Sequence, residues 1–167
     1  TIVDADRNRI QNNYFTRGRH SLVSVRCSDT NVFRGNYFNN EIQKSVEIYD
    51  CEGSSSDDPV IFESTTRNLW EFNYFLGTAA SDQPHDYNAM QFAGQDGIVR
   101  RNVYAHNLGG GVNLQVYPDE ALANHGNRVY HNTFHANRCF ALAASASPSP
   151  AYFDNIVTAN LLFANTD

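Results

Sequence analysis

One short pattern returns six times along the chain: an apolar residue, two others, an asparagine, one further residue, and an aromatic or aliphatic side chain. It reads Ile10-Gln11-Asn12-Asn13-Tyr14-Phe15, then Phe33-Arg34-Gly35-Asn36-Tyr37-Phe38, then Trp70-Glu71-Phe72-Asn73-Tyr74-Phe75. It continues as Val99-Arg100-Arg101-Asn102-Val103-Tyr104, Val129-Tyr130-His131-Asn132-Thr133-Phe134 and Val157-Thr158-Ala159-Asn160-Leu161-Leu162. The repeated asparagines are separated by 23, 37, 29, 30 and 28 residues, and only the longest interval holds an obvious insertion. Twenty asparagines among 167 residues mean either very many turns or one Asn-containing turn used again and again. Asn is a weak helix former, tolerates left-handed backbone and bonds neighbouring amides. The fixed spacing argues for the repeated turn.

Short alternating runs of the half-buried strand type lie between these asparagines. Asn31–Arg34 and Asn127–Tyr130 lead into ladder asparagines. A second set comprises Leu22–Arg26, Val46–Tyr49, Ala89–Phe92, Val112–Val116 and Phe140–Ala143. No segment carries an apolar stripe of helical period and length. Three short strands and three turns close one coil, and such coils stack in parallel about 4.8 Å apart.

In these features the sequence resembles the right-handed parallel β-helix, or pectin-lyase-like, superfamily, from about Asn8 to Phe163. The resemblance implies an all-β solenoid of about five to six coils, with an asparagine ladder running up one turn. Elementary chemistry agrees, because stacked amides satisfy one another and a tight turn needs left-handed backbone. The expected organisation is a single domain over residues 1–167, a segment of a longer chain or one with covered ends. Open solenoid ends promote association, so a flanking domain or end-to-end self-association is expected there.

Composition narrows the function. A net charge of −6, with twelve Lys plus Arg, argues against a general nucleic-acid partner. No stretch approaches the roughly 20 apolar residues of a membrane span. The long insertion, about residues 52–66, carries Asp57, Asp58 and Glu63, carboxylates of the type that bind Ca2+; their spacing favours a solvated loop, and no cofactor is required. Cys27, Cys51 and Cys139 lack metal-ligand spacing. Cys27 and Cys51 end corresponding strands of adjacent coils, compatible with a disulfide or, slightly preferred, with stacked thiols. His106, His125, His131 and His135 form no metal motif, and His131 is expected to point outward beside Asn132.

Aligning the second set of runs puts Val25, Ile48, Met90, Leu114 and Leu142 inward. The neighbouring residues then form two outward columns, Ser24, Glu47, Ala89, Asn113, Ala141 and Arg26, Tyr49, Gln91, Gln115, Ala143. This mixture of carboxylate, amide, guanidinium and phenol, with Tyr117 nearby, suits sugar hydroxyls and a ring face. In the superfamily, substrates lie along the corresponding sheet. Gln83-Pro84-His85-Asp86 resembles the Asp-Pro-His-Asp motif of mannuronan C5-epimerases, with Gln83 in place of the leading Asp. Ser24-Val25-Arg26-Cys27-Ser28 resembles the Ser-Val-Lys-Ser strand of alginate- and chondroitin-type lyases, with Arg26 where that family has its base. A guanidinium is a poor proton acceptor.

The function expected is therefore a secreted, extracellular or cell-surface domain that binds or acts on an acidic polysaccharide. If it is catalytic, a uronic acid loses its C5 proton, followed by elimination or reprotonation. His85, Tyr49 and Arg26 are the candidate catalytic residues. Glu47, Asp86, Gln91, Asn113, Gln115 and Tyr117 are the candidate substrate contacts. The alternative is a non-catalytic carbohydrate-binding or structural surface solenoid module.

Overall fold

The computed structural model describes residues 1–40, 44–49, 65–78, 88–116, 124–146 and 152–165. Three parallel sheets of six strands carry the fold. Sheet A contains β1 (Ile2–Val3), β4 (Ser21–Arg26), β7 (Lys44–Tyr49), β10 (Met90–Phe92), β13 (Val112–Val116) and β17 (Leu142–Ala146). Sheet B contains β2 (Arg9–Gln11), β5 (Val32–Arg34), β8 (Leu69–Glu71), β11 (Ile98–Arg100), β15 (Arg128–Tyr130) and β19 (Ile156–Thr158). Sheet C contains β3 (Tyr14–Thr16), β6 (Tyr37–Asn39), β9 (Tyr74–Leu76), β12 (Val103–Ala105), β16 (Thr133–His135) and β20 (Leu161–Phe163). The chain visits A, B and C in turn and repeats, which makes a parallel β-helix of six coils. In the last two coils β14 (Asn124–His125) and β18 (Tyr152–Phe153) pair between sheets A and B. Among the described residues there is no helix, and so none long and apolar enough to cross a membrane.

Residues of like position fall in line up the stack, and each line is chemically uniform. Ile10, Phe33, Trp70, Val99 and Val129 form the inward line of sheet B. Phe15, Phe38, Phe75, Tyr104 and Phe134 form that of sheet C. The sheet C rings stack nearly parallel, with centroids 4.9, 4.7, 4.6 and 4.9 Å apart. That is the spacing of the strands themselves, so backbone pairing and ring stacking reinforce each other. Tyr104 is fully buried and its hydroxyl donates to Met90 Sδ at 3.6 Å; burial pushes its pKa well up.

The ladder is wider than the single column read from the sequence. Asparagines line all three corners of the coil. Asn13, Asn36, Asn73, Asn102, Asn132 and Asn160 occupy the corner between sheets B and C, as expected. Asn8, Asn31, Asn68, Asn127 and Asn155 occupy the corner before sheet B. Asn107, Asn137 and Asn165 occupy the corner after sheet C. Where two asparagines of a column follow one another, the first donates its backbone N–H to the Oδ1 of the next, for example Asn73 to Asn102 at 2.9 Å. Its own Nδ2 reaches back to the preceding coil, as Asn102 does to the Trp70 carbonyl at 2.9 Å. Gly97 replaces one rung of the column before sheet B, because a Cβ there would meet Phe92 Cζ at 2.5 Å.

The left-handed bend does not fall on the asparagine. It falls on the residue before it: Asn12, Gly35, Phe72, Arg101, His131 and Ala159 at the corner between sheets B and C all have φ between 51° and 64°. Before sheet B the bend falls on Arg7, Thr30, Arg67, Gly126 and Asp154, each ahead of an asparagine, and on Asp96 ahead of Gly97, with φ between 52° and 67°. This conformation costs a non-glycine residue roughly 1–2 kcal/mol, which the ladder bonds that follow each bend offset.

Two further expectations are corrected. Met90 pairs with Val46 and Val112, not with Ile48 and Leu114, and Leu142 pairs with Val112. The third and fifth runs are thus shifted by two residues, and the fifth strand is Leu142–Ala146 rather than Phe140–Ala143. A two-residue shift keeps every side chain on its face, so alternation alone does not detect it. Cys27 is disulfide-bonded rather than a stacked thiol, while Cys139 is free; Cys51 lies outside the described residues.

Candidate functional site

The outward face of sheet A carries polar side chains that nonetheless sit out of solvent. In the corrected register Ser24, Glu47, Gln91, Asn113 and Ala143 form one row across β4, β7, β10, β13 and β17. Glu47 is 7% exposed, and Gln91 and Asn113 are each 2% exposed. Burying a carboxylate costs several kcal/mol unless it is paired and hydrogen-bonded, and Glu47 is both. Lys44, the first residue of β7 and also buried, places Nζ 2.8 Å from Glu47 Oε1. The same Nζ donates to Gln91 Oε1 at 2.5 Å. On the other side, His20 Nε2 lies 3.3 Å from Glu47 Oε2, and its ring is largely exposed.

The chain of contacts continues along the face. Gln91 Nε2 donates to Gln115 Oε1, which also accepts from Asn113 Nδ2 at 3.4 Å. One connected network thus runs from solvent at His20, through the buried Glu47–Lys44 pair, to the amides of Gln91, Gln115 and Asn113. Ser45 Oγ, the residue after Lys44, is fully buried and has no hydrogen-bond partner among the described residues. A buried cation, a carboxylate, an imidazole and three amides in one network can bind hydroxyl and carboxylate groups and move protons between them.

Four sequence-derived candidates therefore come together: Glu47, Gln91, Asn113 and Gln115. Gln91 moves from the row of Arg26 and Tyr49 into that of Glu47, because β10 is shifted. Arg26 ends β4, half-buried and in register with Tyr49 of β7. His85, Asp86 and Tyr117, with the insertion carboxylates Asp57, Asp58 and Glu63, lie outside the described residues. Lys44 and His20 were not anticipated. Lys44 is the sole lysine of the chain, but its alternation with Val46 and Ile48 assigns it to the inward set. His20 precedes its strand and has no sequence motif.

A second charged cluster lies on the outward face of sheet B. Glu71 is fully buried and shared by two arginines from the neighbouring coils. Arg34 donates Nε at 2.7 Å, and also Nη2, to Oε1; Arg100 donates Nε at 2.8 Å to Oε2. Arg100 Nη1 continues to the Tyr130 hydroxyl at 3.1 Å. Desolvation pushes the Glu71 carboxyl up, but hydrogen bonds and charge from Arg34 and Arg100 outweigh it and hold the carboxyl below the usual range. The Arg100 guanidinium is held above its ordinary value, mainly by the bonds to Tyr130 and Glu71. Elsewhere, His131 is exposed as expected. Among the described residues no group of three or more His, Cys, Asp or Glu side chains is arranged to hold a metal ion.

The chain matches the family described as the right-handed beta helix region over residues 1–162, and it belongs to that family. No curated protein and no solved structure matches it.

Proposed function

We propose that this right-handed β-helix binds an acidic polysaccharide across the outward face of sheet A and acts on it by abstracting the C5 proton of a uronic acid. One observation carries the reading: the network of Lys44, Glu47, His20, Gln91, Gln115 and Asn113 on that face. Abstraction of a C5 proton needs a group that neutralises the carboxylate, a base and an acid. In this reading Lys44 and the amides of Gln91 and Gln115 hold the sugar carboxylate. The imidazole of His20, backed by Glu47, takes the proton. Elimination then breaks the C4–O bond as the C4–C5 double bond forms, and the leaving oxygen acquires a proton; epimerisation instead returns a proton to the opposite face of C5. Arg26 and Tyr49, at the ends of β4 and β7, remain proposed contributors, and so does His85, which lies outside the described residues. The disulfide at Cys27 supports an extracellular or cell-surface location, because such bonds persist in oxidising compartments.

A second reading, a non-catalytic carbohydrate-binding module, is favoured by one feature. Lys44 and Glu47 already satisfy each other, which suits a rigid binding surface. Incubation with alginate, pectate and glycosaminoglycans separates the two. Unsaturated product is followed by its ultraviolet absorbance and C5 configuration by NMR. Turnover that falls about 100-fold or more in His20→Ala and Glu47→Gln is the expected result. Binding without turnover, unaffected by His85→Ala and Arg26→Ala, would establish the binding module. Neither binding nor turnover on any polymer sinks both.

A further inference from the structure

The chain is acidic overall, yet one of its faces is not. The outward rows of sheet B run Arg9, Val32, Leu69, Ile98, Arg128 and Gln11, Arg34, Glu71, Arg100, Tyr130 through five successive coils. Four guanidiniums face one carboxylate there, in a chain whose net charge is −6. That carboxylate, Glu71, is fully buried and consumed by Arg34 and Arg100. Half of the Arg34 side chain and about a third of that of Arg100 nevertheless remain exposed, at 51% and 31%. Arg9 and Arg128 are exposed and make no ion pair among the described residues. Half-buried Val32, Leu69 and Ile98 lie between the end arginines as an apolar strip.

We infer that the outward face of sheet B is a second binding surface, which takes a linear carboxylated polysaccharide laid along the solenoid axis. Stacked coils are about 4.8 Å apart, so Arg34 and Arg100 recur at roughly 10 Å and Arg9 and Arg128 at roughly 19 Å along a straight row. A polymer with a carboxylate at regular intervals meets these charges in sequence, and the hydrocarbon faces of its rings rest on the apolar strip. The row already shows the pairing chemistry, because Glu71 is a carboxylate held by the Nε and Nη2 edges of two arginines. Single-stranded nucleic acid fits less well: it needs aromatic platforms for its bases, and Tyr130, the one aromatic side chain in these rows, is engaged by Arg100. The inference rests on the proposed polysaccharide reading for the kind of polymer and adds a site on a different sheet.

The test compares the wild type with the double variant Arg9→Ser, Arg128→Ser, which leaves the Glu71 clamp intact. Binding of polygalacturonate and alginate oligomers is titrated calorimetrically at several salt concentrations. The expected result is about tenfold weaker affinity in the double variant, with a shallower salt dependence. Circular dichroism should be unchanged, and a fully methyl-esterified pectin oligomer should bind weakly to both proteins. Equal affinity of wild type and variant overturns the inference, as does equally tight binding of the esterified oligomer or of a single-stranded oligonucleotide of equal charge. Gln115→Ala, on sheet A, tells the two sites apart. If turnover is absent but the Arg9/Arg128 increment persists, the catalytic reading fails and the sheet B surface stands. If Gln115→Ala abolishes binding while the double variant leaves it untouched, only the sheet B inference fails.

Discussion

Asn102 and Asn13 occupy the same position in the same corner, yet their removal carries different costs. Asn102 Oδ1 accepts from the Asn73 backbone N–H and Nδ2 at 2.9 and 3.0 Å, and its Nδ2 donates to the Trp70 carbonyl and Asn132 Oδ1. All of these groups are out of solvent. Asn102→Ala is expected to cost about 2–4 kcal/mol in denaturant unfolding, because a buried donor and a buried acceptor lose their partners. Asn13 is exposed, and its backbone N–H still donates to Asn36 Oδ1 at 3.0 Å once the side chain is gone. Asn13→Ala is therefore expected to cost under about 1 kcal/mol. Equal losses would show that the ladder acts through turn propensity rather than through its bonds. The bends before the asparagines were not legible, for a simple reason. Arg7, Thr30, Phe72, Asp154 and Ala159 all adopt them and share no side-chain chemistry. The bend is imposed by the ladder behind it and overrides local preference.

Strands cooperate through lines of side chains, and the Arg34–Glu71–Arg100 clamp ties β5, β8 and β11 into one unit. Its carboxylate has a depressed pKa in the folded state. The unfolded chain therefore takes up that proton at higher pH than the folded one. The stabilisation is complete above the ordinary carboxylate pKa and is lost as pH falls through the folded value. Glu71→Gln is expected to lose about 1–3 kcal/mol at neutral pH and to flatten this part of the acid limb of stability. Unfolding midpoints measured from neutral to acidic pH provide the check, and an unchanged acid limb would remove Glu71 from the account. Alternation with the inward Trp70 puts Glu71 on the outward face, but it does not show that arginines stand on both sides of it. Their positions 37 and 29 residues away follow from coil lengths that differ from one turn to the next.

Across the whole molecule the stack is a one-dimensional array in which each coil touches only its neighbours. Burial follows that geometry. Trp70 and Tyr104 in the middle coils are fully buried, whereas Val157 and Leu162, at equivalent inward positions of the last described coil, are 48% and 54% exposed. Amide exchange in the 167-residue chain is expected to be slowest in β8, β9, β11 and β12 and fastest in β1 to β3 and in β19 and β20. Uniform protection would mean that all coils open together. The sequence by itself determined the period, the parallel stacking, the inward lines of sheets B and C and the outward parity of Glu47, Gln91, Asn113 and Gln115. Those are properties of one coil repeated, and a local pattern carries them. Only the tertiary structure decided the two-residue register of β10 and β17, the other two asparagine columns, the reach of Lys44 to Gln91 and the contact of His20 with Glu47. Lys44 and Gln91 are 47 residues apart. Which residues of separate coils come side by side depends on strand pairing across connections of unequal length, and no alternation of apolar and polar residues encodes that length.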